Sequence, residues 1–373
     1  MSGKLYFNDK ENRELTERIY ELINNAQKCI KTGNFFFKDP KIKNALLNAA
    51  SRGVAIFVLS NLQGNEERGN IEIRGKNKRH NGRVVKTEDD IRKFENDPHI
   101  SNLHELYRNG IHVRLCESLH AKFLICDSKE GLIMSANYTI DSLYGNPENG
   151  LEIYHNELCD LELIFDTLYM HPDIILSNER DEYRYLESKS PIVSNNLKNI
   201  GKTSRLLFTA ASDNETENNL KKCSFKTIYE KLVQIIEEAQ ESLIIVSYSY
   251  KKVEKLEELK NALNNAIKRG VKVTLYYGSK WKEQNNNEES NNYYMKSLRS
   301  LLRKDFFDSV LVREFRNNHA KCMISEHEGA LFTANIDGDK GLLKGFELGC
   351  VLTEAQRVQS LQRINEIFEF QKI

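Results

Sequence analysis

One block occurs twice in this chain, and any fold it adopts must account for both copies. The first is His120-Ala121-Lys122, four residues, Asp127, then Gly131 and Ser135-Ala136-Asn137. The second is His319-Ala320-Lys321, four residues, Glu326, then Gly329 and Thr333-Ala334-Asn335. A carboxylate follows each: Glu148 stands eleven residues beyond Asn137, and Glu347 twelve beyond Asn335. In the first copy the apolar run Phe123-Leu124-Ile125-Cys126 follows the lysine at once, which reads as a strand. His120 and Lys122 then point to one face and Ala121 to the other. A turn at Gly131 and a return strand from Leu132 bring Ser135 and Asn137 back to the same end, and the second copy repeats the plan.

The flanking sequence repeats as well. Residues 13–27 carry Leu15, Ile19, Leu22, Ile23 and Ala26 at helical spacing, followed by a strand from Cys29 to Phe37. A second helix with Ile42, Ala45, Leu46 and Ala49 stops at Arg52-Gly53, before a buried strand from Val54 to Leu59. In the second half the helix Ile228 to Ala239, the strand from Ser242 to Val246, the helix Leu256 to Ile267, Arg269-Gly270 and the strand from Val271 to Tyr276 follow in the same order. Helices over 161–169 and 355–368 close the two halves. A repeated strand–helix–strand order predicts two related α/β domains, 1–185 and 200–373, joined by a polar connector near 176–203.

The residues of the doubled block suit a phosphodiester. Two lysines and two asparagines are donors for the non-bridging oxygens, where charge grows in the transition state. An imidazole can attack phosphorus or protonate the leaving oxygen, and two imidazoles divide those tasks. Glu148 and Glu347 suit a carboxylate that accepts the second ring N–H and fixes the tautomer. Alone, a His-x-Lys on a strand is common, and Asp127 and Glu326 can simply cap turns; the doubled pattern is what carries the chemistry.

With 54 basic and 54 acidic residues the chain has no net charge, so nothing global argues for nucleic acid or an anionic membrane. A local basic run, Arg74, Lys76, Lys78, Arg79, Arg83 and Lys86, lies in a long polar segment over 62–98 and is the candidate contact for a polymeric phosphate substrate. The matching segment 279–296 reads as an exposed loop. No window approaches the run of about 20 apolar residues that a membrane span needs, and the N-terminus has no signal-peptide core, so a cytoplasmic protein is expected. The seven cysteines are scattered, with no Cys-x-x-Cys, and read as reduced core residues. Gly201-Lys202-Thr203 is similar to part of a phosphate-binding loop, but it lacks the first glycine and the preceding strand.

The paired blocks resemble the H-x-K-x4-D signature of the phospholipase D superfamily, and the resemblance covers both halves of the chain. It implies two α/β domains, each a mixed sheet flanked by helices, related by a pseudo-twofold with the active site at their interface. It implies metal-independent, two-step catalysis with no cofactor. One histidine forms a covalent phosphohistidine while the other protonates the leaving group and then activates water or an alcohol. Carried over, His120 and His319 are the nucleophile and acid, His120 by analogy the nucleophile. Lys122, Lys321, Asn137 and Asn335 match phosphate-binding positions, Glu148 and Glu347 the carboxylates that orient the histidines, and Asp127 the motif acid. Glu326 departs from that acid by one methylene. Ser135 and Thr333 keep a hydroxyl two positions before the asparagine, where the family often has Gly-Ser.

Fold does not choose the substrate. Without the membrane spans or signal peptides of many lipid-active members, the expectation is a nuclease acting on DNA or RNA, of the kind used in DNA repair, restriction or phage defence. The alternatives are a phospholipase D or phosphatidyltransferase acting on phospholipids, and a non-catalytic nucleic-acid-binding subunit of a larger complex.

Overall fold

The computed structural model describes residues 3–61, 97–179, 182–188, 190–212, 218–279, 297–298 and 300–370. Two mixed sheets, one of nine strands and one of eight, form its halves. Seven consecutive strands recur in the same order and the same sense in both. In the first sheet the order runs Leu5–Asn8, Glu148–Ile153, Glu130–Met134, Phe123–Cys126, Cys29–Gly33, Ala55–Ser60, His112–Leu115. In the second it runs Leu206–Ala211, Gly345–Val351, Gly329–Phe332, Cys322–Ser325, Ser242–Ser247, Lys272–Ser279, Leu311–Arg316. The Cys29–Gly33 strand pairs in parallel with Ala55–Ser60, as Ser242–Ser247 does with Lys272–Ser279. The strand that follows each lysine pairs antiparallel with its return strand.

The helices follow from apolar periodicity. Glu14–Asn25 buries Leu15, Ile19, Leu22 and Ile23, and Pro40–Ser51 buries Ile42, Ala45, Leu46 and Ala49 against the outer face of the first sheet. Thr227–Glu238 and Glu257–Lys268 cover the second sheet in the same way. The two Arg-Gly stops carry a second function. Arg52 donates to the carbonyls of Ile23, Asn24 and Ala26, and Arg269 to those of Ile236, Glu237 and Ala239. Each arginine thus satisfies the free carbonyls at the end of the preceding helix, while Gly53 and Gly270 take the positive φ that ends their own.

A third core joins the halves. It unites Phe123, Ile125 and Leu151 of the first sheet with Phe208, Phe346 and Leu348 of the second, around the helix His155–Met170. Polar contacts tie each closing helix to the opposite half. Glu157 pairs with Arg205 at 2.8 Å, and in Glu354–Phe370 Gln356 donates to the Gly3 carbonyl while Arg363 reaches Asp9 at 3.6 Å.

Several expectations are corrected. The connector expected at 176–203 begins as structure: Ile174–Glu179 and Glu182–Glu187 form a hairpin on the edge of the first sheet. The strand Leu5–Asn8 and the helix Pro98–Arg108 were not legible as elements. Gly131 lies inside the strand Glu130–Met134, not in the turn; a Cβ there would stand 2.8 Å from Ile153 and 2.9 Å from Leu158. The turn itself is made by Asp127 and Ser128, both at positive φ. Cys159 is exposed and Cys29 half-buried; the other five cysteines are buried, and all seven are free. Gly201-Lys202-Thr203 is an ordinary turn, with Asp160 accepting from the Gly201 amide at 2.9 Å and the Ser204 hydroxyl at 2.6 Å.

Candidate active site

Each histidine block is seated against the other half of the molecule. The amides of His120 and Ala121 both donate to the carbonyl of Phe346, at 3.0 and 3.1 Å. Those of His319 and Ala320 both donate to the carbonyl of Pro147, at 2.8 and 2.9 Å. Phe346 and Pro147 immediately precede Glu347 and Glu148, so the seam that anchors each histidine also delivers a carboxylate to it.

The pairing is therefore crossed. His120 Nδ1 lies 2.6 Å from Glu347 Oε1, and His319 Nδ1 lies 3.0 Å from Glu148 Oε2. The motif hydroxyls hold the same carboxylates: Thr333 donates to Glu347 Oε2 at 2.5 Å, and Ser135 donates to Glu148 Oε2. Each hydroxyl in turn accepts a backbone amide at 2.9 Å, from Leu348 and Asn149 respectively. With Nδ1 engaged by a carboxylate, Nε2 is the ring nitrogen left for chemistry. His120 and His319 keep 29% and 15% of their side-chain exposure, while Glu347 and Glu148 are buried. The two halves differ in detail. His319 Nδ1 is shared with the Ser135 carbonyl at 3.1 Å, and Glu148 Oε1 is buried without a partner, whereas both oxygens of Glu347 are bonded.

Beneath the imidazoles lie Lys122 and Lys321, both fully buried. Lys122 Nζ sits 3.3 Å from both nitrogens of the His120 ring and donates to the His120 carbonyl. Lys321 Nζ donates to the His319 carbonyl at 2.7 Å. Asn137 and Asn335 follow the two hydroxyls by two positions, and the Oδ1 of each is buried without a hydrogen-bond partner. Six of the eight predicted catalytic positions, the histidines, lysines and glutamates, thus lie in two equivalent constellations, linked across the seam by the crossed His–Glu pairs.

A family model described as cardiolipin synthase, PLD-like domain, matches residues 19–168 and 232–370. The chain belongs to the phospholipase D superfamily. Phosphatidylserine synthase from Haemophilus influenzae Rd KW20 shares 14% identity over 98% of this chain and 86% of its own, with a TM-score of 0.60. Polyphosphate kinase from Porphyromonas gingivalis shares 13% identity over 100% of this chain at a TM-score of 0.55, and this chain spans 50% of that kinase. Nuc from Salmonella typhimurium, a phospholipase D family member, is 18% identical over 50% of this chain and 99% of its own, at a TM-score of 0.34. At such identities the likeness to these structures concerns the fold. No curated protein matches the chain in sequence.

The electrostatics of this phospholipase D-type site follow from burial. Desolvation pushes the Lys122 ammonium down to about 7 and Lys321 down to about 8, against the pull of Glu347 and Glu148. Burial likewise holds both imidazoles below their usual value, with the paired carboxylates opposing it. Burial acts to raise Glu347 and Glu148, but the facing histidines and lysines outweigh it and hold both below the usual carboxylate range. Burial thus favours neutral imidazoles, while the facing histidines and lysines favour anionic carboxylates.

The superfamily's motif acids stand apart from this chemistry. Asp127 accepts the amides of Gln27, Lys28 and Cys29 at 2.9, 2.7 and 2.9 Å, and Glu326 those of Gln240 and Ser242 at 2.5 and 3.0 Å. Each clamps the hairpin to the start of the neighbouring strand, and the longer glutamate reaches the same target. These amides hold Glu326 far below its ordinary 4.5, at about 2, despite the opposing desolvation. A depressed carboxyl contributes stability that is complete above the ordinary value and is lost as pH falls towards the folded one. Glu326→Gln is expected to cost about 1–3 kcal/mol in stability at neutral pH. The wild type should lose stability more steeply than the variant on acidification from about 4.5 towards 2. Denaturant melts across that range measure both, and the folded variant should keep its activity.

The proposed phosphate contacts Arg74, Lys76, Lys78, Arg79 and Arg83 lie outside the described residues, as does most of 279–296. Sequence reasoning missed two residues beside the histidines. The Phe35 ring lies edge-on to His120 with centroids 5.0 Å apart, and the Tyr248 ring lies 5.5 Å from His319. Both sit just beyond the equivalent strands Cys29–Gly33 and Ser242–Ser247, so the structural repeat would have pointed to them together.

Proposed function

We propose that the chain is a metal-independent phosphodiesterase acting through a covalent phosphohistidine, and that its substrate is nucleic acid. The crossed His–Glu pairs above two buried lysines carry this reading. Nε2 of His120 attacks phosphorus as the P–O bond to the leaving group breaks. His319, protonated at Nε2 and backed by Glu148, gives its proton to the leaving oxygen. Water then attacks phosphorus as His319 takes its proton and the P–N bond breaks, restoring both rings. Lys122, Lys321, Asn137 and Asn335 bind the non-bridging oxygens throughout, as pre-placed donors in a desolvated site. For the substrate class, support comes from exposed Lys251, Lys252 and Lys340. The ladder between Tyr250–Lys251 and Ile336–Asp337 sets Lys251 opposite Asp337, two residues beyond Asn335.

A pH dependence follows. His319 acts protonated and burial holds it below its ordinary 6.5, so kcat/KM should begin to fall on the alkaline side with His319 and fall further as Lys122 and Lys321 lose the protons with which they bind phosphate, at about 7 and about 8. The limb in kcat should lie higher, because bound phosphate favours the charged lysines. Rates across pH at constant ionic strength read this; a kcat/KM profile flat through pH 8 contradicts it.

The testing experiment incubates labelled single- and double-stranded DNA and RNA with the protein in excess EDTA, beside a His120→Ala His319→Ala control. Cleavage that survives EDTA and vanishes in the control is the expected result. Loss of cleavage in EDTA counts against the mechanism. No cleavage by a folded protein that hydrolyses phospholipid vesicles moves the substrate to lipid.

A further inference from the structure

The run Phe35-Phe36-Phe37 is left over by this chemistry. Phe37 is core, 2% exposed and edge-on to Tyr138 at 5.0 Å. Phe35 and Phe36 are only partly buried. Their rings stand edge-to-face with centroids 4.3 Å apart, and Phe35 touches His120. Cations accompany both rings: Lys122 Nζ lies 5.8 Å from the Phe35 centroid and Lys38 Nζ 5.1 Å from that of Phe36.

This pair is held rigidly. Asn34 Oδ1 accepts the amides of Phe36 and Tyr138, both at 3.2 Å. Fully buried His99 accepts the Phe37 amide at 2.9 Å, and its other ring nitrogen bonds the Asn61 carbonyl at 2.6 Å. Asn102 donates to the Phe37 carbonyl at 2.8 Å. Three hydrogen bonds, to Asn34, His99 and Asn102, thus fix the main chain of Phe36 and Phe37 beside the site. The second half has no such pair, since Tyr248 is followed by Ser249.

We infer that Phe35 and Phe36 form a shelf on which a base of single-stranded nucleic acid stacks, on the His120 side of the scissile phosphate. This deepens the proposed nucleic-acid reading and rests on it. Rings backed by cations match what an unpaired nucleotide offers, a π-face beside an anionic backbone. A base in a duplex keeps its faces occupied by its neighbours, so the shelf selects single strands and gives the site a direction along the chain.

The test compares single-stranded oligothymidylate with an abasic deoxyribose-phosphate oligomer of equal length, by cleavage and by fluorescence-anisotropy binding in EDTA. The wild type should favour oligothymidylate about tenfold in kcat/KM. Phe36→Ala and Phe36→Leu should bring that ratio close to one, and Phe36→Tyr should retain it; Phe36→Leu keeps most of the volume should the alanine variant fail to fold. Equal use of the two oligomers by the wild type, or a ratio unchanged in Phe36→Leu, overturns the shelf. If neither oligomer is cut, cleavage of DNA fails as the activity, and the binding ratio then decides the shelf by the same criteria.

Discussion

His120→Ala and His319→Ala are each expected to lower the rate of phosphodiester cleavage by about 10⁴-fold or more. The double variant should be little worse than the weaker single, because the two rings serve one sequence of steps and their losses do not add. In the proposed mechanism the histidines serve different steps. Without His120 no phosphoryl-enzyme can form, so single-turnover experiments should show neither burst nor adduct. Without His319 the leaving group departs unprotonated, so a substrate with a good leaving group such as p-nitrophenol should regain much of the lost rate. Both rings are partly exposed at the site, so neither replacement opens a large core cavity, and thermal melts should stay close to wild type. A histidine whose removal costs less than tenfold would not have the role given to it.

Glu347→Gln and Glu148→Gln should each cost about 10²-fold or more, and the losses should be crossed. An amide has no second carboxylate oxygen to share between the hydroxyl and the ring, so it releases the ring orientation and removes the charge that supports imidazolium. Because Glu347 faces His120 across the seam at 2.6 Å, Glu347→Gln should lower the pKa of His120 and disturb its tautomer, leaving His319 nearly as it was. Glu148→Gln should do the reverse. Nitrogen-15 spectra of the labelled histidines resolve the two rings. A shift of His120 on replacing Glu148, with His319 unmoved, would mean that each carboxylate serves its own half.

That crossing was not legible in the sequence, although every residue in it was. The doubled block is readable because catalysis needs several residue types at fixed spacing, and spacing survives in the chain. The short strands after Lys122 and Lys321 and the repeated helices are readable because periodic burial writes itself into apolar spacing. Which carboxylate meets which imidazole depends on how two domains pack, and no local pattern encodes a partner more than 170 residues away. The same limit hid the carbonyls of Pro147 and Phe346, whose role is purely main-chain. The strand Leu5–Asn8 was missed because four residues among charged neighbours carry too little periodicity; it is a strand because Glu148–Ile153 offers it an edge. Gly131 looked like a turn residue on propensity alone, whereas its place is set by Ile153 and Leu158 packing where a side chain would be.

The most direct test of the central claim is to trap the covalent intermediate. A labelled substrate is mixed with enzyme in EDTA, quenched within one turnover, and the protein is digested and mapped by mass spectrometry. The expected result is an acid-labile phosphoryl adduct on the peptide containing His120, absent in His120→Ala. Turnover in EDTA with no adduct on either histidine under any quench would mean direct attack by water, and would contradict the two-step mechanism.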